Sequence, residues 1–324
     1  MTTCFLSLYY HCFVAYLSIQ VRVLHDPHLF FETLIQKTNQ ANQRITFASL
    51  YLGTGSHEAE LVKTLESSLK RNSHSNSFKV RILLDATRGS RGAVNNSCTM
   101  LLPLVQSFKQ HCKIHFYHTP ALRGLLKKIL PERWNEIVGL QHMKIYIFDD
   151  SLMISGANLS HDYFTNRQDR YVIIEDCKEL VDFFDELVEN VCQFSFQLNE
   201  GNYLKFNPNF PHHPFESDRI KFTTEAKRRI EELFKKQLEV NSKYSVSVNT
   251  QSHDTWIFPF VQMGQLNIYM DNILTRQILE KLPPNAELCL ATGYFNLTQD
   301  YMDTLLETSQ PNIHILMAHP LVGI

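Results

Sequence analysis

The sequence predicts an α/β fold in which a mainly parallel mixed sheet is flanked by helices. From about residue 21 onward, short apolar runs rich in β-branched residues alternate with amphipathic helical segments. Such alternation is typical of βαβ units, whose crossover helices cover a parallel sheet. A length of 324 residues and a hydrophobic content of 44% are enough for a sizeable core in one large or two medium domains.

The regular part of this alternation runs from residue 21 to residue 198. Asp26 followed by Pro27 has the residue types of a helix N-terminus, so a helix is expected to begin there. The apolar runs predict strands over 21–24, 44–51, 79–85, 113–117, 142–149, 152–155 and 171–175. The segments with helical periodicity predict helices over 27–39, 56–69, 98–110 and 177–198.

An internal repeat predicts a second lobe of the same kind. Residues 44–51 align with residues 287–294, and each segment stands between two predicted helices and is followed by another strand. The same order of helix, strand, helix and strand is the sign of a duplicated lobe, although any two α/β segments share some of this resemblance. The sequence therefore predicts one complete lobe and a partial second lobe.

Composition divides the chain into four segments. Residues 1–20 form an atypical apolar segment without Asp, Glu, Lys or Arg, for which a membrane segment and an unusual start both remain open. Residues 21–198 form the first lobe. Residues 199–218, dense in Asn, Pro, His and Phe, are expected to be a linker, and residues 219–324 the partial second lobe.

Charge and cysteine content exclude several classes of partner. The net charge of −2 argues against a surface that coats nucleic acid, so no nucleic-acid partner is predicted. The seven cysteines are scattered and form no Cys-x-x-Cys pair, which fits a reducing compartment and excludes a zinc-finger pattern. No cluster has metal-ligand spacing, so neither a metal nor a cofactor is expected.

One predicted strand carries two polar residues that are unusual in a buried position. His142 and Lys144 alternate with Met143 and Ile145, so both polar side chains lie on one face of the strand. Burial removes hydration from both groups, which is unfavourable unless they meet a phosphate. Lysine would supply a fixed charge, and histidine a nucleophile or a proton. A lone His-x-Lys pair among fifteen histidines is weak, because such a pair also arises by chance.

The larger pattern resembles the signature of the phospholipase D superfamily. His142-x-Lys144-(x)4-Asp149 is followed at a short distance by Ser155-Gly-Ala-Asn158. The surroundings resemble the eukaryotic, phospholipase D-like phosphatidylglycerophosphate synthases over about residues 21–320. The segments that carry this similarity are 29–37, 44–54, 140–149, 155–160, 163–171 and 291–296.

This resemblance implies a phospholipase D-like fold and a phosphatidyltransferase. The family transfers a phosphatidyl group from CDP-diacylglycerol to glycerol 3-phosphate, which releases CMP on the way to cardiolipin, and it needs no metal. His142 would be the nucleophile that forms a phosphohistidine. Lys144 would hold the non-bridging phosphate oxygens and Asn158 would be a further phosphate donor. Asp149 is expected to orient and charge a histidine rather than to act as a base.

The sequence departs from the superfamily pattern in two places. Ser155-Gly-Ala-Asn158 replaces the common Gly-Ser-x-Asn, after a turn one residue shorter. No second His-x-Lys follows residue 144, whereas enzymes of the superfamily bring two such motifs together from two lobes or two subunits. The chain alone is therefore expected to be weakly active unless it forms a homodimer. A catalytically incomplete form and a phosphodiesterase that uses water remain alternatives.

A second candidate site follows the predicted strand 79–85. Arg88, Gly89, Ser90, Arg91 and Gly92 could bind a phosphate of the nucleotide through backbone N–H groups and two guanidinium groups. No Gly-Lys-Ser/Thr is present, so the loop is not a Walker motif. An ordinary turn between strand and helix is the alternative.

The resemblance also implies a peripheral location at the mitochondrial inner membrane. Residues 1–20 do not have the composition of an Arg-rich amphipathic transit peptide. The predicted helix 223–240 carries a basic face that would suit an anionic bilayer surface, but the same pattern is typical of a helix packed on the sheet, which is favoured.

Overall fold

The computed structural model describes residues 14–16, 18–92, 94–124, 139–244, 254–293, 295–307 and 311–319. The chain divides into two compact units, one ending at Pro259 and the other beginning at Phe260. This division differs from the predicted linker over 199–218. Residues 204–206 form a strand of the large sheet, so this segment belongs to the first unit.

The first unit contains eleven of the named strands and seven helices among the described residues. Its strands are β1 (Val14–Tyr16), β2 (Val21–Leu24), β3 (Arg44–Ala48), β4 (Lys79–Asp85), β5 (Cys112–Tyr117), β6 (Ile145–Phe148), β7 (Ser151–Ser155), β8 (Tyr171–Ile174), β9 (Phe196–Leu198), β10 (Leu204–Phe206) and β11 (Thr255–Ile257). Its helices are α1 (Pro27–Gln40), α2 (Ser56–Arg71), α3 (Ala86–Gly89), α4 (Ser97–Ser107), α5 (His161–Thr165), α6 (Lys178–Gln193) and α7 (Arg219–Tyr244).

Local capping explains where the first helices begin. The Asp26 carboxylate accepts a hydrogen bond from Leu29 N at 2.8 Å, and Pro27 occupies the first helical position, as predicted. Helix α4 begins with a capping box, in which Asn96 and Thr99 each bond the other's backbone N–H. These caps satisfy N–H groups that a helix cannot bond internally.

Nine strands form one mixed sheet in the order β10-β9-β5-β4-β3-β6-β7-β8-β2. Only β3, β4 and β5 pair in parallel; all other neighbours in this sheet are antiparallel. The mixed α/β architecture is as predicted, but the expectation of mainly parallel pairing is wrong. A crossover helix separates β3 from β4 and β4 from β5, whereas β6 and β7 are joined by a tight hairpin, which forces antiparallel pairing.

Helices cover both faces of this sheet. On one face, Phe30 of α1 is fully buried and stacks on Tyr171 of β8, with ring centroids 4.6 Å apart. On the other face, Asp185 of α6 accepts a hydrogen bond from Thr46 of β3 and forms an ion pair with Arg81 of β4. The two faces are called here the α1 face and the α6 face.

Helix α7 packs against helix α6, whereas the favoured prediction placed it on the sheet itself. Phe234 of α7 contacts Phe183 of α6, with ring centroids 5.2 Å apart. Basic residues of α7 are bound by neighbouring carboxylates, since Arg228 pairs with Glu225 and Glu232. Among the described residues, no helix is long and apolar enough to span a bilayer.

The predicted N-terminal segment over 1–20 is described only in part. Residues 1–13 and 17 lie outside the described residues. Residues 14–16 form β1, which pairs antiparallel with β11, so this stretch is a strand rather than part of a membrane helix.

The second unit repeats the order of elements found at the start of the first. Its elements are β12 (Gln262–Met263), β13 (Ile268–Tyr269), α8 (Met270–Glu280), β14 (Glu287–Thr292), α9 (Gln299–Glu307) and β15 (Asn312–Met317). Strands β14 and β15 pair in parallel, as β3 and β4 do. The predicted recurrence of helix, strand, helix and strand is confirmed. Every residue of β15 is exposed, including Ile315 and Leu316.

Candidate active site

His142 and Lys144 lie immediately before β6, with very different exposure. Lys144 is 4% exposed, whereas His142 is exposed to solvent. The Lys144 ammonium donates a hydrogen bond to the His142 carbonyl oxygen at 2.9 Å. Ser155 N donates to Lys144 O at 3.3 Å, so pairing between the β6 and β7 segments continues to Lys144. Pairing with Ser155 therefore fixes the backbone of Lys144 at the end of β6 that is nearest to His142.

The segment that carries Asn158 is tied to the face of the sheet on which Lys144 lies. Side chains alternate along a strand, so Lys144 shares the α1 face with Tyr146, which contacts Phe30. The buried Tyr146 hydroxyl donates to the Ala157 carbonyl at 2.8 Å and fixes the residue before Asn158. Asn158 is 5% exposed, and its Oδ1 atom has no hydrogen-bond partner among the described residues. A buried amide without a partner is costly, and a ligand that completes its hydrogen bonds would remove that cost.

Burial dominates the electrostatics of Lys144. It lowers the pKa of the ammonium group to about 7, although the negative charge of Asp169 acts in the opposite direction. Asp169 itself accepts a hydrogen bond from Gly156 N at 3.0 Å. No carboxylate of the described residues lies within ion-pairing distance of Lys144, so the position suits an anion that arrives with the substrate.

Asp149 does not lie near His142, which corrects the predicted role of this carboxylate. It occupies the turn at the far end of β6 and has a left-handed φ of 50°. Its carboxylate accepts hydrogen bonds from the backbone N–H groups of Asn42, Gln43 and Arg44 at 2.7 to 3.1 Å. Asp149 therefore ties the entry to β3 to the β6–β7 hairpin and does not orient a histidine.

The predicted phosphate loop over residues 88–92 is organised by internal hydrogen bonds. The backbone N–H groups of Ser90 and Arg91 donate to Ala86 O and Arg88 O, and that of Arg88 donates to the Asp85 carboxylate. These groups are thus not available to cradle a phosphate, which corrects that part of the prediction. Gly89 has a packing role, because a Cβ atom there would lie 2.7 Å from the Phe116 ring.

Arg88 nevertheless reaches the neighbourhood of the candidate site. Its guanidinium lies over the Tyr51 ring, 4.8 Å from the ring centroid. The Tyr51 hydroxyl is 3.2 Å from Ser160 Oγ, two residues beyond Asn158. The side chains of Arg88 and Tyr51 therefore line the approach to the segment that carries Asn158.

Two further residues, Asp85 and Gln141, support the site and were not singled out in the sequence. Asp85, at the end of β4, accepts a hydrogen bond from Gln141 N at 3.0 Å, directly before His142. Gln141 is buried and donates to the backbone of Ser49 and Leu83. The sequence did contain a signal for Asp85, since it is a carboxylate at the end of an apolar strand.

Glu58 is buried beside the segment that follows Asn158. It is 2% exposed, and its Oε1 atom accepts a hydrogen bond from His161 N at 2.7 Å. Gly53 packs so closely on Glu58 that a Cβ atom there would clash with the carboxylate. At the protein surface near Glu58, the Nδ1 atoms of His57 and His161 lie 2.9 Å apart.

The fold and this arrangement define a class of protein. Residues 34–191 match the family model described as cardiolipin synthase, PLD-like domain. Residues 34–191 therefore form a phospholipase D-like domain. A phosphatidylserine synthase of Haemophilus influenzae Rd KW20 has a similar fold, with a TM-score of 0.60 and 17% identity over 94% of this chain and 63% of that one.

Within this class, the chain is similar to the CDP-diacylglycerol–glycerol-3-phosphate 3-phosphatidyltransferases. It is 45% identical to the mitochondrial enzyme of that name from Cricetulus griseus and 44% identical to the one from Homo sapiens. Each alignment covers 94% of this chain and 58% of the relative. The chain thus spans a little over half the length of these curated relatives.

We predict that Asp149 contributes to stability and not to the chemistry. Asp149→Ala removes the acceptor for three backbone N–H groups and places alanine at a left-handed position. We expect the free energy of unfolding, measured in urea, to fall by about 2–4 kcal/mol. Asp150→Ala is the matched control, since it removes one half-exposed ion pair and is expected to cost about 1 kcal/mol or less. An Asp149→Asn protein of wild-type stability that had lost all chemistry at His142 would contradict this assignment.

We predict that Lys144 lowers stability at neutral pH. Because burial lowers its pKa from 10.5 to about 7, the unfolded chain binds more protons than the folded protein between these values. The cost of burying the charge is therefore complete below pH 7 and fades as the pH rises toward 10.5. We expect Lys144→Met to raise the free energy of unfolding by about 2 kcal/mol or more at pH 6, with a smaller gain at pH 10.

Denaturant unfolding of both proteins across this pH range measures the effect. Lys63→Met, on the exposed side of α2, is the control and is expected to change little at any pH. A stability gain for Lys144→Met that stays constant from pH 6 to pH 10 would show that the lysine is not desolvated as described.

Proposed function

We propose that this protein transfers a phosphatidyl group from CDP-diacylglycerol to glycerol 3-phosphate and releases CMP. The observation that carries the proposal is a desolvated Lys144 ammonium bound to the backbone carbonyl of the exposed His142, on the face of the sheet to which Tyr146 ties the segment of Asn158. The relatives that are 45% and 44% identical to this chain are named for these two substrates. Support also comes from the family model that covers residues 34–191.

In the first step, an imidazole nitrogen of His142 attacks the phosphorus that carries the diacylglycerol group. An N–P bond forms as the O–P bond to CMP breaks, and the electron pair leaves with CMP. The Lys144 ammonium neutralises a non-bridging phosphate oxygen as negative charge develops there. The Asn158 amide supplies a second polar contact, since it is buried and already held by its neighbours.

In the second step, a hydroxyl group of glycerol 3-phosphate attacks the phosphohistidine. A new O–P bond forms, the N–P bond breaks, and His142 is restored. The hydroxyl proton must pass to a base other than the bonded nitrogen of His142. A substrate phosphate also stabilises the charged form of Lys144, whose pKa burial lowers, so that lysine and phosphate bind each other with little competing hydration.

We further propose that a second copy of this chain supplies the acid–base group. Residues 1–324 contain one complete His-x-Lys-(x)4-Asp motif, so two copies of these residues would contain two. Two copies that bring their His142 residues together would provide the two histidines that superfamily chemistry uses. In such a homodimer, one histidine would bond to phosphorus while the other exchanges protons with CMP and with the acceptor.

We also propose that the protein acts at a membrane surface in the mitochondrion, on the matrix or intermembrane side of the inner membrane. Its lipid substrate requires access to a bilayer. The relatives from Cricetulus griseus and Homo sapiens are named as mitochondrial enzymes. Fractionation of mitochondria followed by carbonate extraction tests this location, because a peripheral protein is released and an integral one is not.

We predict that turnover depends on His142. With vesicles of CDP-diacylglycerol and labelled glycerol 3-phosphate, the chain should form labelled phosphatidylglycerophosphate, and His142→Ala should lower the rate by about 10³-fold or more. His74→Ala, in an exposed loop, is the matched control and should retain the wild-type rate. Release of phosphatidic acid in place of the labelled product would instead favour a phosphodiesterase that uses water.

We predict that activity per chain rises with protein concentration. If two copies share their histidines, dilution below the dimer dissociation constant should cost about 10²–10⁴-fold in rate, the usual value of general acid–base catalysis. Turnover measured alongside analytical ultracentrifugation at the same concentrations tests this. Full activity of a monomer would refute the shared site while leaving His142 as the nucleophile.

A further inference from the structure

A polar cavity lies on the α6 face of the sheet, away from the candidate active site. Its volume is about 330 Å³, within the range of small-molecule pockets. Basic side chains from β4 and β5 line one side, and the end of α6 lines the other. The polar and charged residues that line the cavity include Lys79, Arg81, Lys113, His115, Glu189, Gln197 and Asn209.

His115 is the least satisfied polar group of this cavity. It is 9% exposed, and its Nδ1 atom has no hydrogen-bond partner among the described residues. It is held between neighbours in the sheet, with Leu83 of β4 on one side and Gln197 of β9 on the other. A buried ring nitrogen without a partner costs stability unless a bound group makes the missing bond.

The charges around His115 favour an anion. Lys113 and His115 alternate on β5 and share the α6 face with Arg81, the direct neighbour of Lys113 in the register. Burial first, and then the charges of Arg81 and Lys113, lower the pKa of His115 to about 3, so the ring is neutral at physiological pH. The charge of Arg81 is balanced by Asp185 and Glu189 of α6. The charge of Lys113 is not balanced by an ion pair among the described residues, so it attracts an anion to this place.

The cationic groups differ in how they are held. Arg81 forms ion pairs with Asp185 and Glu189 of α6, which fix its guanidinium at the cavity wall. Lys113 is exposed at the rim, and no ion pair of the described residues involves it. A phosphoryl group could therefore replace water around Lys113 without disrupting an existing pair.

The remaining wall is rich in amide groups. Gln197 and Asn209 line the cavity, and the side-chain amide of each has donor and acceptor atoms. Their atoms suit hydroxyl groups better than apolar surface. The cavity is also larger than one oxyanion requires, so a ligand that fills it carries more than a phosphate.

The position of this cavity separates it from the chemistry at His142. Arg81 lies near the start of β4, about 13 Å along the strand from Asp85, which binds the segment before His142. Lys144 and Tyr146 face α1, whereas Arg81 faces α6. One ligand cannot reach both places.

We propose that this cavity is a second ligand site, which binds a small phosphorylated sugar or polyol. The phosphoryl group lies between Lys113 and Arg81, a hydroxyl group completes the hydrogen bond of His115, and the amides of Gln197 and Asn209 bind the remaining hydroxyl groups. The proposal does not depend on the phosphatidyl transfer proposed above.

Isothermal titration calorimetry of the full chain with glucose 6-phosphate tests the site, with glucose and inorganic phosphate as separate arms. We expect glucose 6-phosphate to bind more tightly than either fragment. Lys113→Met should weaken that binding about ten- to hundredfold, the value of a charge-assisted hydrogen bond. His115→Phe should do the same, and because Lys113 is exposed, its variant remains informative if the His115 variant does not fold.

Two controls fix the location of the ligand. Lys63→Met removes an exposed lysine elsewhere and should leave the affinity unchanged. Lys144→Met should also leave it unchanged, because that residue belongs to the candidate active site. No binding, equal loss in Lys63→Met and Lys113→Met, or loss in Lys144→Met alone would each overturn the proposal. Inorganic phosphate that binds as tightly as glucose 6-phosphate would overturn the assignment of a sugar or polyol.

Discussion

The carboxylate of Asp85 joins three segments on which the candidate site depends. It is 1% exposed and stands at the end of β4. One oxygen accepts hydrogen bonds from Thr87 and Arg88 and starts α3, while the other accepts from Gln141 N. Burial raises the pKa of Asp85 and these hydrogen bonds act in the opposite direction. Because a buried carboxylate is tolerated only with such partners, the position of the chain just before His142 is coupled to the correct formation of the central sheet.

Lys144 shows that the candidate site lowers the stability of the fold. An ammonium group at 4% exposure, with a backbone carbonyl as its partner, is unfavourable in a protein that only has to be stable. The surrounding sheet keeps it in place, since Ser155 binds its backbone and Tyr146 anchors the residue before Asn158. The same loss of hydration that lowers stability strengthens the attraction between the ammonium group and a phosphate. Stability and anion binding are therefore opposed at this residue, as is common at functional sites.

Several features follow from local rules and could be predicted from the sequence. The Asp26 cap, the strand after residue 144 and the recurrence of elements around β14 depend on residues close in the chain. Features that depend on distant segments were predicted less well. Strands β3 and β6 are far apart in the chain, and neither segment shows that they pair antiparallel. The strand at 204–206 pairs with the neighbouring β9, whose own place in the sheet depends on the distant β5. A linker and an edge strand have similar composition when both are polar and short.

The same distinction applies within the candidate site. The common face of Lys144 and Tyr146 is a matter of strand alternation, which the sequence displays. The contact between Arg88 and Tyr51 could not be predicted from the sequence, because the two residues follow different strands, β4 and β3. The turn at residues 86–91 shows why a Gly- and Arg-rich loop is a weak signal. Its backbone N–H groups are already bonded to Asp85 and to each other, so composition alone did not reveal that they were occupied.

The spacing of the His-x-Lys-(x)4-Asp pattern has a structural meaning in this fold. The four residues between Lys144 and Asp149 are the whole of β6, Ile145–Phe148. Lysine therefore marks one end of the strand, and aspartate marks the hairpin at the other, where it binds the backbone before β3. Since a one-residue change would move every side chain of a strand to the opposite face, this anchor determines that Lys144 and Tyr146 face α1. Asp149 thus acts on the candidate site from a distance, through the register of β6 against β3 and β7.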